Sequence, residues 1–179
     1  QMSLSIAPNQ MVATTFGMVG KDMTVTALQK TQTASSLNPP FDAYGGDISI
    51  GNVGGGSSTP IVTALSFSIN NGLNPTFVIG DSSAPQLEYG MAVVEGSVSV
   101  YFVDTAIMNR FLNETESEIE VSVDGPSAVT PYTFLFPRVK FNAAEMGVSG
   151  PESRLITLPF VALYDSTELT NLKITRTNP

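Results

Sequence analysis

Apolar residues recur at every second position over much of the chain, the period of a β-strand with one face buried. Met2, Leu4 and Ile6 alternate with Ser3 and Ser5, and Val12, Thr14, Phe16 and Met18 line one face of the next run. Ile61, Thr63, Leu65, Phe67 and Ile69 form a long stripe, with Val62, Ala64, Ser66, Ser68 and Asn70 opposite. Asn70-Asn71-Gly72 reads as the turn that ends it, because Asn-Gly tolerates positive φ. A second stripe runs from Ala92 to Val103, with Val94, Val98, Val100 and Phe102 against Glu95, Ser97, Ser99 and Tyr101. Gly96 interrupts it and marks either a bulge or a close backbone approach.

One segment departs from period two. Asp104 is a candidate N-cap, and Ile107, Met108, Phe111 and Leu112 then share a helical face, which predicts one short helix over 105–113. Alternation returns with Ile119, Val121 and Val123 against Glu116, Glu118 and Glu120. Tyr132 to Phe141 reads as a strand pair or one bent strand, since Pro137 has no amide to donate to a ladder. Leu155 to Tyr164 is apolar on both faces, which predicts a strand covered on both sides. Leu172 and Ile174 belong to a final strand ending near Arg176. Two long loops, 29–46 with Asn38-Pro39-Pro40 and 51–60 with Gly54-Gly55-Gly56, separate these runs. The expected fold is mainly β: a sandwich or barrel of about nine strands with one short flanking helix, by the packing rules for all-β chains.

Composition narrows the function. The 179 residues suggest one domain that can hold a core without staples. They include no cysteine and no histidine, which removes disulfides, thiolate metal sites, the commonest general base and the usual partner of a nucleophilic serine. The absence of tryptophan weakens a carbohydrate-binding reading. Sixteen acidic residues against eight basic ones, a net charge of −8, oppose the phosphate neutralisation on which nucleic-acid binding depends. No apolar run approaches the roughly 20 residues of a membrane helix, and the start of the chain reads as a polar strand. Only 13% of residues are charged while 42% are hydrophobic, a skin suited to burial against copies of itself. The chain opens on Gln1 and not methionine, compatible with a segment of a longer protein.

Candidate chemistry is sparse. Gly51 to Ser58 lacks the Gly-Lys-Ser/Thr ending of a phosphate loop and opens no helix, so it reads as a hairpin loop. Glu116, Glu118 and Glu120 share one strand face about 7 Å apart. They leave three readings open: a solvated face, a negative stripe presented to a lumen, or ligands for a hard cation. Arg138 and Lys140 share a face beside Pro137, either as an ordinary surface pair or as partners for a neighbour's acids. No catalytic, metal or cofactor residues are assigned.

Three stretches, taken together and in order, carry a resemblance. They are Tyr101-Phe102-Val103-Asp104 through Phe111-Leu112-Asn113-Glu114-Thr115-Glu116; Tyr132-Thr133-Phe134-Leu135-Phe136-Pro137-Arg138-Val139-Lys140; and Leu158-Pro159-Phe160-Val161-Ala162-Leu163-Tyr164-Asp165 with Asn171-Leu172-Lys173-Ile174-Thr175-Arg176. Together with Leu65 to Leu73 they resemble tail tube proteins of long-tailed, siphovirus-type bacteriophages and prophages, over about residues 12–178. The resemblance implies a non-enzymatic virion protein. Its rings stack into a hollow tube through which DNA passes without specific binding. It implies self-association as a trimer or hexamer, contacts with terminator and tape measure proteins, assembly in the host bacterial cytoplasm, no membrane and no cofactor. It also implies either a single tube-like domain over 1–179 or the C-terminal part of a longer two-domain chain.

On that reading the arm 29–46 reaches an adjacent subunit or ring, with Gln32, Ser36, Asn38, Pro39, Pro40, Phe41 and Tyr44 as contact candidates. The acidic stripe Glu116, Glu118 and Glu120 faces lumen or solvent. Competing readings are a β-sandwich adhesin module using Tyr44, Tyr89 and Tyr132, a carboxylate hydrolase, and a ring protein of a contractile injection system.

Overall fold

The computed structural model describes residues 1–22, 25, 40–80, 84, 86–103, 105–124, 131–147 and 154–176. In chain order these form β1 (Met2–Ile6), β2 (Ala13–Phe16), β3 (Gly46–Asn52), β4 (Gly55–Ser58), β5 (Val62–Asn70), β6 (Asn74–Thr76), β7 (Gln86–Glu88) and β8 (Val93–Tyr101). The helix α1 (Ala106–Leu112) follows, then β9 (Ser117–Val123), β10 (Tyr132–Phe141), β11 (Glu145–Gly147), β12 (Leu155–Ala162) and β13 (Lys173–Arg176). The described residues thus form thirteen strands where the sequence suggests about nine; the additions are short pairings such as β4, β6, β7 and β11.

Eleven strands make one antiparallel sheet, ordered β2-β1-β5-β8-β12-β10-β9-β3-β4, with β11 added to β12 and β13 to β10. This sheet curls into a half-barrel, so its two arms face each other. Phe67 of β5 meets Phe134 and Phe136 of β10 with ring centroids 5.5 and 5.0 Å apart, and Phe136 meets Phe160 of β12 at 5.5 Å. Leu65, Val94, Val98, Val100, Ile119, Val121, Ile156 and Leu158 fill the rest of the core. Each fully buried side chain of this kind contributes about 1.5–3 kcal/mol.

Four local features settle or shift the alternation read along the chain. A bulge between Val62 and Ala64 shifts the phase of β5, so Ile61 leaves the core stripe and lies 58% exposed. Asn70-Asn71-Gly72 forms the expected turn at the end of β5, but the chain does not close the β5–β8 hairpin there. Gly72 takes φ +58° and donates its amide to Asn70 Oδ1 at 3.0 Å, and the ribbon continues into β6 and β7. Gly96 marks a close approach: Phe160 and the Ser66 carbonyl stand against it, with the β8 register unbroken there. Pro137 sits in one bent strand, where the β9 register shifts between Phe136 and Val139.

The helix begins one residue later and ends one earlier than 105–113, with Thr105 at its N-cap; Asp104 lies outside the described residues. Ile107, Met108 and Phe111 pack on the core, whereas Leu112 is exposed. Arg110 fastens the helix by donating from Nη1 to the Gly51 carbonyl at 3.1 Å and to Ser117 Oγ at 3.2 Å.

Candidate self-assembly interface

The outer face of the β2-β1-β5-β8 arm is built from small hydroxyls in register. Ala13, Ser5, Ser66 and Ser97 form one rung, and Thr15, Ser3, Ser68 and Glu95 the next. Strand alternation dictates this, since their neighbours Leu4, Leu65, Phe67, Val94 and Val98 point into the core. Ser66 Oγ and Ser97 Oγ lie 3.2 Å apart, and Ser99 Oγ and Thr157 Oγ1 3.0 Å apart, so hydroxyls satisfy one another across strands. The face forms an open concavity of about 470 Å³ whose lining holds one acidic residue, Glu95, and no basic one.

The acidic stripe lies elsewhere. Glu116 is bound by both arms of Arg138, Nε to Oε2 at 2.7 Å and Nη2 to Oε1 at 2.6 Å, and Arg138 Nη1 also donates to the Tyr164 carbonyl. The hydrogen bond from Arg138 is the chief cause that holds the Glu116 carboxyl below its ordinary range. Lys140 pairs with Glu114 at 2.7 Å. The bases of β10 therefore meet acids of their own chain, one of the two arrangements that the sequence leaves open. Glu118 accepts the Gly54 amide at 3.4 Å, and Glu120 is exposed. The three carboxylates thus have three different environments. Among the described residues, no group of three His, Asp or Glu side chains is placed to hold a metal ion, and no helix is long and apolar enough to cross a membrane.

Of the arm candidates, Gln32, Ser36, Asn38 and Pro39 lie outside the described residues. Phe41 is an anchor: its ring meets Tyr132 edge-on at 5.5 Å, and its carbonyl accepts the Val12 amide at 2.9 Å. Asp42 Oδ1 then accepts the amides of Tyr44 and Gly45, a turn that leaves Tyr44 98% exposed. Pro40 and Phe41 border an apolar groove of about 490 Å³ with Met2, Val12, Phe16 and Tyr132. The strands β2 and β4 are the two ends of the sheet.

A model of the phage tail tube protein family matches residues 1–162. The chain belongs to that family. It is a structural component of the phage tail, a tube subunit and part of the virion. Two solved assemblies share its fold. The SPP1 tail tube, solved by solid-state NMR and cryo-EM, superposes with a TM-score of 0.53 at 12% identity, over 68% of this chain and 75% of that one. The anti-feeding prophage baseplate, described as six-fold symmetrised, superposes with a TM-score of 0.54 at 9% identity, over 82% of this chain and 97% of that one. None of the curated proteins matches.

For a tail tube subunit the exposed apolar surface is as informative as the polar face, and one part of it lies outside any alternating run. Phe77, Val78 and Ile79 follow β6 at the far end of the β5–β8 ribbon and are 72%, 48% and 106% exposed. The available signal is the unalternated apolar run between Thr76 and Gly80.

Proposed function

We propose that this tail tube subunit closes into a ring that stacks on further rings, with the Ser/Thr rungs of the β2-β1-β5-β8 arm lining the bore. The observation that carries this is the make-up of that face, which is small, hydroxylated, in register and free of basic side chains. DNA carries one negative charge per roughly 1.7 Å of axis, so a basic lining would retain it, whereas neutral hydroxyls and the Glu95 carboxylate leave it free to slide. The two sheet ends, β2 and β4, are closed by neighbours in the ring, which removes the aggregation hazard of open edges.

The subunit acts by assembly and not by catalysis. Single-domain chains make a ring of six, and chains carrying a second such domain a ring of three; the six-fold description of the anti-feeding prophage baseplate supports the former count. Terminator and tape measure proteins are the expected partners, and assembly takes place in the host bacterial cytoplasm before the tail joins the virion. Glu116, Glu118 and Glu120 face solvent on the outer wall, a placement supported by the basic partner at Glu116. The arm 29–46 reaches the adjacent subunit from its anchor at Phe41, and exposed Tyr44 is its contact candidate among the described residues.

Size-exclusion chromatography of the concentrated chain with negative-stain imaging tests the reading. Rings and hollow filaments are expected, and a stable monomer at high concentration would contradict it. A ring protein of a contractile injection system is the second reading, favoured by the similarity to the anti-feeding prophage baseplate. A contractile sheath around the native particle would select it.

A further inference from the structure

We infer that the tip of the β6–β7 hairpin is the knob of an axial joint, received by an apolar socket at the opposite end of the same ribbon on a second copy of the chain. The ribbon begins beside Ile61 and Tyr101, where the Tyr101 amide donates to the Ile61 carbonyl at 2.9 Å, and it ends in Phe77, Val78 and Ile79. The seventeen residues from Ile61 to Phe77 span at most about 55 Å. Phe77 and Ile79 stand out from their own chain at 72% and 106% exposed, although Ala84 across the hairpin is buried and donates its amide to the Lys21 carbonyl at 3.1 Å.

The other end is equally uncovered. Ile61, Val103 and Leu155 are 58%, 72% and 41% exposed, and Leu155 is the register partner of Tyr101 on the next strand. Pro60, Ile61, Tyr101, Val103 and Ile107 border a concavity of about 260 Å³ there, room on the order of one large apolar side chain. Ile61 is outside the core because of the β5 bulge, and Val103 lies between the end of β8 at Tyr101 and the start of α1 at Ala106.

Three arguments make the occupant a second copy. A polar stack requires the two ends of a subunit to be complementary and different, a heterologous contact that does not close on itself. Knob and socket sit at the two ends of one ribbon, so an axial repeat brings the knob of each copy to the socket of the next. Charge agrees as well: among the described residues of 71–91 the charged one is exposed Glu88, and exposed Arg154 flanks Leu155 at the socket. An apolar run of this length left in water would instead be an aggregation site.

The inference rests on the tube reading, and a cysteine-free chain permits a clean test. The double variant Ile79→Cys, Val103→Cys is assembled, oxidised and run without reductant. The expected result is a covalent ladder extending past the ring's subunit number as counted by microscopy, with none from either single variant. Assembled tubes that give no ladder, or a ladder that stops at the ring number, would overturn the axial joint and leave the tube reading intact. Wild-type chain that forms no tubes would overturn both. A second variant, Phe77→Ser with Ile79→Ser, should keep its circular dichroism spectrum and form rings that do not stack; tubes of normal length from it would also overturn the joint.

Discussion

Phe160 occupies the place where a side chain at Gly96 would stand. The two are register partners on β12 and β8, and a Cβ built on Gly96 falls 2.5 Å from Phe160 Cζ and 2.6 Å from the Ser66 carbonyl oxygen. The hydroxyl face and the aromatic core are thus separated at this point by one glycine backbone. Gly96→Ala forces the Phe160 ring off Phe136 and is expected to cost about 1–3 kcal/mol. Denaturant unfolding measures it; an unchanged midpoint would contradict the close approach.

Phe136 touches both arms of the curled sheet through Phe67 and Phe160, so it joins elements far apart in sequence. Phe136→Ala is expected to destabilise by about 3–5 kcal/mol, as for large cavities in cores. A loss below about 1 kcal/mol would mean that the arms are not held by this contact.

Glu116 ties pH to stability. Its carboxyl is held below 4.5 in the folded state, chiefly by the Arg138 hydrogen bond. A depressed carboxylate contributes stability that is present above its unfolded pKa and lost as pH falls through the folded value. Melting temperature is therefore expected to fall below about pH 4.5 in the native chain and to fall less steeply in Glu116→Gln. Parallel curves for the two would show that the pair contributes nothing.

The arm test must respect its anchor. Removing 31–44 would take Phe41 from Tyr132 and Asp42 from its turn, confounding folding with assembly. Deleting 31–38 leaves both, and the shortened chain is expected to melt near the native temperature yet form no tubes under electron microscopy. Normal tubes would remove the arm from the assembly contacts.

Much of the architecture was legible because period two is a local property. Leu65 and Phe67, Val94 and Val98, and Ile119 and Val121 are all buried where alternation puts them. What alternation cannot see is non-local. The continuity of one sheet across β8, β12 and β10 depends on pairings between residues as distant as Val98 and Leu158. A bulge at Val62/Ala64 turned Ile61 outward, and the ribbon ran on past Asn70-Asn71-Gly72 because β6 and β7 found each other beyond it. The hydroxyl rungs were visible as alternating serines, but only the register across four strands assembled them into a face. The acidic stripe was visible too, but its pairing with Arg138 was not, since that needs the β9–β10 register.

Lysines placed on the hydroxyl face probe its role. Tubes of Ser5→Lys with Ser97→Lys are expected to retain linear DNA in a salt-dependent way, while native tubes retain none. Equal behaviour would place this face away from the bore.

The most direct measurement is a cryo-EM map of the assembled tube at side-chain resolution. The account predicts a hollow bore lined by Ser3, Ser5, Ser66, Ser68, Glu95 and Ser97, with Glu116, Glu118 and Glu120 on the outer wall. A bore lined by those three glutamates, or a filament without a bore, would contradict it.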